Sequence, residues 1–182
     1  MLSLIDPTDP FWQPHPPFPL QGGGAGLLGW WRARYAENGG RLPRRDQFRP
    51  ETMRTILSGL VLADVIDGRN FRYRLIGTGV TGMAGRDATG HLLDEQLYGP
   101  NFTRMIFPYR MTVERRVPLA TRSGVLFADR WSVAENLFLP LSTDPADDRV
   151  NMVMVHVHTC DAENFGDMET GVITTYPVAA PE

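Results

Sequence analysis

The sequence predicts an α+β fold: one antiparallel sheet of five strands with helices covering one face, preceded by an N-terminal helix. Three observations predict it. Phe71, Tyr73 and Leu75 alternate with Arg72 and Arg74, the period-two pattern of a strand with one buried face. Phe102, Met105, Ile106, Tyr109 and Val113 return at three- and four-residue steps, the spacing of an amphipathic helix. Two strand-like runs precede that helix and three follow it, an order that suits one antiparallel sheet under a helical cover.

The composition sets the frame. The chain has 182 residues, 42% of them apolar and 21% charged, which is a globular composition with ample material for a core. No apolar run approaches the roughly 20 residues of a membrane span. The opening Met1-Leu-Ser-Leu-Ile-Asp-Pro7 lacks the basic-then-apolar order of a secretory signal. No membrane contact and a cytoplasmic location are therefore expected. All 18 basic residues are arginine, a global bias that reads as genome composition rather than as a built anion site. With a net charge of −3 and the arginines scattered, no nucleic-acid partner is expected. Cys160 is the single cysteine, so neither an intrachain disulfide nor a paired-cysteine metal knuckle can form.

Residues 1–26 hold six prolines and a Gly22-Gly-Gly-Ala-Gly26 run, and read as a Pro/Gly-rich arm whose Phe11, Trp12 and Phe18 could dock on this domain or a second subunit. Leu27 to Asn38 predicts the first helix, with Trp31 and Tyr35 on one face and Gly39-Gly40 as its stop. Pro50-Glu51-Thr52 looks like a helix start, running to about Leu57. Leu60 to Ile66 and the strand from Phe71 flank Asp67-Gly68, a hairpin signal with a four-residue loop. One helical turn follows at Val80, Met83 and Ala84, then a short turn within His91–Tyr98, then the long helix from Asn101 with Pro108 near its middle. Arg116–Arg122, Trp131–Leu141 and Val150–Cys160 complete the strands, and 161–182 reads as a C-terminal tail.

Several of these segments together resemble the PAS-like domain family common in alphaproteobacteria. They are Trp30-Trp31 in a short helix, Gly39-Gly-Arg-Leu-Pro43, Phe48-Arg-Pro50 before a helix, Leu62-Ala-Asp-Val65, Phe71-Arg-Tyr-Arg-Leu-Ile-Gly-Thr78 and Gly85-Arg-Asp-Ala-Thr-Gly90. The likeness covers about residues 27–160, the expected domain, and is weakest after Leu119. It implies a five-stranded antiparallel sheet with helices packed over one face, serving as a sensory or dimerisation module. It implies no ligand.

Four features of the sequence are candidate sites. Gly77-Thr-Gly-Val-Thr-Gly82 has dinucleotide-fingerprint spacing after a strand, but the following helix is too short for a crossover and no second parallel strand follows, so the glycines are read as a sharp exit from the sheet. His156, His158 and Cys160 share one strand face opposite Val153, Val155 and Val157. Without a further ligand to complete a metal site, the two histidines are expected to face solvent or a partner. The long helix carries no histidine and Cys160 stands far along the last strand, so haem and covalent flavin are disfavoured and no cofactor is predicted. An apolar pocket between helices and sheet is the default site, with Tyr73, Leu75, Met83, Met105, Tyr109 and Trp131 as its expected lining. No nucleophile, base and orienting acid fall together, so no catalytic residues are assigned. The expectation is a non-catalytic sensory module, a homodimer whose partner contacts involve Trp31, Tyr35, His156 and His158, signalling to another protein or binding a small molecule. The alternative is a structural adaptor whose core is filled by its own side chains.

Overall fold

The computed structural model describes residues 19–127, 130–161 and 174–177. Leu60–Val65 (β1) and Phe71–Ile76 (β2) form the expected hairpin. Asp67 holds its tip by accepting from the backbone N–H groups of Arg69 at 3.1 Å and Asn70 at 2.8 Å. Leu119–Phe127 (β3), Arg130–Leu141 (β4) and Met152–Asp161 (β5) complete the five-stranded antiparallel sheet. A short sixth strand, Thr174–Pro177 (β6), pairs with β3, so the stretch expected as a tail contributes an edge. The order across the sheet is β2-β1-β5-β4-β3-β6. The other edge is also covered: the backbone of residues 90–93 bonds to Phe71 and Tyr73 of β2, which removes part of an open ladder.

One irregularity decides where a side chain goes. Leu62 faces Leu75 while Ala63 faces Tyr73, which leaves Arg74 as the extra residue of a bulge in β2. Beyond it the inward phase shifts by one, so Ile76 turns toward the helices and Leu75 is 42% exposed.

Helix α1 spans Gly24–Glu37, and Gly23 just before it has φ 93°, a turn that only glycine takes without strain. The helix expected from Pro50 is instead a chain of 3-10 turns, Pro50–Thr52 and Arg54–Gly59, broken at Met53. Thr78–Ala84 (α2), Glu95–Tyr98 (α3) and Phe102–Arg115 (α4) follow the hairpin. Asp94 caps α3 by accepting from the Leu97 N–H at 2.9 Å. Asn101 makes no side-chain cap on α4, whose Pro108 removes the hydrogen bond that would reach the Arg104 carbonyl.

The sheet is buried on both sides. Val61, Tyr73, Thr121, Phe138 and Val155 face α2 and α4. The residues alternating with them, Leu60, Leu62, Leu137, Leu139, Met152 and Met154, are buried on the opposite side, where α1 lies. Trp31 fixes α1 there. Its indole is fully buried, donates from Nε1 to the Pro140 carbonyl at 2.8 Å and stacks on Tyr35 with ring centroids 4.9 Å apart.

Candidate functional site: a cavity between helices and sheet

The side of the sheet that faces α2 and α4 is not fully closed by side chains. Between α2, α4 and the β-sheet lies a cavity of about 650 Å³. Strand alternation builds its floor from Val61 of β1, Val155 and Val157 of β5, and Ala134 and Phe138 of β4. Val80 and Met83 of α2 and Met105 and Pro108 of α4 form its walls. Toward the β3 edge the floor turns polar at Thr121, Ser123 and Asn136, with the Asn136 amide donating to the Thr121 hydroxyl at 3.1 Å.

Toward β2 three tyrosines meet. The Tyr73 and Tyr98 hydroxyls are hydrogen-bonded to each other, and the Tyr109 ring packs between Phe71 at 5.3 Å and Phe138 at 5.1 Å. Burial is the main reason that all three hydroxyls titrate above the usual phenol range. For Tyr73 the neighbouring Tyr109 and Tyr98 add to it, while for Tyr98 the bond from Tyr73 and the charge of Arg86 oppose it. At neutral pH the three therefore remain hydroxyls that can donate as well as accept. The Arg86 guanidinium lies 5.5 Å from the Tyr98 ring centroid and donates to the Leu97 carbonyl at 2.7 Å. Asn101 and Arg104, at the entry to α4, complete this end. The lining holds no carboxylate and no imidazole among the described residues, so it offers no nucleophile paired with a base.

The expected lining residues Tyr73, Met83, Met105 and Tyr109 all border this cavity. Leu75 does not, because the bulge at Arg74 turns it outward. The side chain of Trp131 lies outside the described residues, as do those of Phe11, Trp12, Phe18 and Cys160. Sequence reasoning missed Arg86, Tyr98, Arg104, Thr121 and Asn136. Period-two spacing from Phe138 would have found Asn136, whereas the arginines became visible only when α2, α3 and the start of α4 were seen to converge.

The four residues expected at a partner surface are placed differently. Trp31 is spent inside its own chain and offers no area to a second subunit, while Tyr35 is half-buried against it. His156 is only 4% exposed, beneath the turn that enters α1; a Cβ on Gly24 would come 3.6 Å from its Nδ1. Burial, then the neighbouring His158, lowers the His156 pKa, while Glu135 and a backbone hydrogen bond with Gly22 pull it up. Glu135 is buried, bridges to Arg122 at 2.9 Å and accepts from the Gln21 backbone N–H at 2.7 Å. Among the described residues no group of three His, Cys, Asp or Glu side chains could hold a metal ion.

The glycine motif also has a packing reason. Gly77 has an ordinary φ of −66°, but a Cβ there would come within 2.5 Å of the Leu57 carbonyl oxygen, and one on Gly79 within 2.9 Å of the Ser58 carbonyl oxygen. The motif lets the turn 54–59 press against the start of α2. No helix of the described residues is long and apolar enough to cross a membrane.

No curated protein matches the chain. A family model described as a PAS domain matches residues 23–154, from the entry to α1 into β5. That match covers most of the chain, from α1 through the helical cover to the start of β5: the chain belongs to the PAS domain family.

Proposed function

We propose that this PAS domain is a non-catalytic sensory module that binds a small organic molecule between its helical cover and its sheet. The observation that supports it is the cavity of about 650 Å³, a size and an apolar lining with few polar groups that suit a ligand of modest size. A self-filled structural core would have closed that space with its own side chains.

The signal follows from the strands that form the floor. Val155 and Val157 border the cavity, and His156 and His158 between and beyond them meet the Gly22–Gly24 turn on the other side. Ala134 and Asn136 border it likewise, and Glu135 between them holds the Gln21 backbone. A ligand that prefers one setting of β4 and β5 shifts the population of arrangements at the entry to α1. Partner proteins, or a second copy of the chain in a homodimer, read that change through surfaces other than Trp31.

Native mass spectrometry of the purified chain tests the reading, together with a thermal-shift screen of small metabolites. A bound small molecule, or a ligand that at about 100 times its Kd raises the midpoint by roughly 5–10 °C, supports it. Bare protein mass with no midpoint change across the screen would favour an adaptor without a ligand.

A further inference from the structure

We propose that the ligand is an amphipathic monocarboxylate, its anionic end held by Arg86 and Arg104 and its apolar body lying along the valine floor. The inference rests on the cavity being a ligand site, as argued above, and adds the chemistry of what enters it. Among the described residues, two arginines border the cavity and no acidic side chain does. Arg86 has a carbonyl and a ring as neighbours, neither of which neutralises it. Arg104 has no hydrogen bond or ion pair among the described residues, although it is half-buried. It stands in the first turn of α4, which contains no acidic residue, where the helix dipole disfavours a cation.

An anion at this end answers all of these at once. A carboxylate presents two oxygens to a guanidinium fork in one plane, and charge-assisted bonds of this kind are about twice as strong as neutral ones. The Tyr98 hydroxyl, bonded to Tyr73, stands beside the same end and can donate to a carboxylate oxygen. The rest of the lining asks for something else. Val61, Val155, Val157 and Met105 offer no hydrogen bond, so the part of the molecule that lies on them must be hydrocarbon, short of the polar edge at Thr121, Ser123 and Asn136. A fully polar polyacid would strand its other charges against that floor. A neutral hydrocarbon would leave both guanidinium groups unmatched.

The test measures binding of decanoate and of decan-1-ol, below their aggregation limits, to the full chain by calorimetry. Wild-type protein should bind decanoate roughly tenfold or more tightly than decanol. Arg104→Gln should abolish most of that preference by weakening decanoate far more than decanol, without lowering the thermal midpoint of the free protein, and Arg86→Gln should reduce it. Equal affinity for acid and alcohol in the wild type, or a preference that survives in the Arg86→Gln/Arg104→Gln double variant, would overturn the anionic assignment and leave the cavity reading standing. Binding of neither compound would overturn the assignment; the cavity reading would fall with it only if the metabolite screen were also blank.

Discussion

Ala134→Leu separates a ligand cavity from a self-filled core by the sign of one number. Ala134 is 6% exposed, and it borders the cavity from the middle of β4, opposite Ser123 on the neighbouring strand. Leucine adds three carbons there. If the space is open, each carbon removed from water on folding contributes about 0.8 kcal/mol, or about 2.4 kcal/mol in all. Fixing the longer side chain costs about 0.5–1 kcal/mol. The net stabilisation is then roughly 1.5 kcal/mol, which for a chain of this length raises the thermal midpoint by about 3–6 °C. If side chains already fill the space, the extra carbons force strain costing about 1–3 kcal/mol, and the midpoint falls. Urea denaturation and calorimetry of ligand-free protein read the sign. A lower midpoint with an unchanged denaturant slope would refute an open cavity. The same leucine should weaken decanoate binding, because a stabilised cavity and a functional one compete for the same volume.

Three further outcomes test the surrounding framework. Gly77→Ala should cost roughly 1–3 kcal/mol, because its methyl meets the backbone at Leu57 and Ser58. Gly82→Ala, with nothing within 4 Å of its Cβ and a place inside α2, should instead stabilise by about 0.5–1 kcal/mol; the same sign for both would contradict the packing account of the glycine motif. Trp31→Phe keeps a ring but leaves the buried Pro140 carbonyl unpaired, so urea unfolding should show a loss of about 1–3 kcal/mol, and a loss within error would mean that this bond is not made. His156 has a folded pKa below its ordinary 6.5, so as the pH drops through about 6.5 the unfolded chain takes up a proton that the folded chain refuses. Stability should therefore decline as the pH falls below about 6.5 until the folded pKa is reached, and His156 should add no pH slope above 6.5. A His156→Gln variant with the same pH slope would reject the assignment.

The fold was legible because its signals are local. The Asp67-Gly68 hairpin, the period-two strands and the three- and four-residue spacing of α4 each lie within a short window. What the sequence hid depends on contacts between distant segments. Alternation placed Tyr73 and Leu75 on one face, but the bulge at Arg74 depends on how β2 pairs with β1, and no residue type announces it. Trp31 read as a docking residue because a twelve-residue helix must lay its apolar face on something. Nothing nearby in sequence reveals that the something is β4, more than a hundred residues on, at Pro140. His156 and His158 read as an exposed polar face for a related reason: a His-x-His strand looks amphipathic until a helix entry from the far end of the chain covers it.

The same hidden packing supplies a route between cavity and surface. A strand side chain and its successor point to opposite faces, so a strand buried on both sides cannot move one face alone. β4 and β5 are such strands, bordering the cavity at Ala134, Asn136, Val155 and Val157 and carrying Glu135, His156 and His158 on the reverse. Their reverse side meets the chain at Gln21 to Gly24, through the Glu135 bond to the Gln21 backbone and through Gly22, where a Cβ would fall 2.1 Å from the His158 Nδ1. Glu135 is also tied to Arg122, whose neighbours Thr121 and Ser123 again border the cavity. In the proposed function, a ligand that repositions this part of the floor would therefore alter the geometry at Glu135 and His156, with the entry to α1 the element placed to register it. Under the proposed sensory function, the buried polar residues on the reverse face, costly as packing alone, would be the contacts by which the sheet holds that entry in register with the state of the cavity.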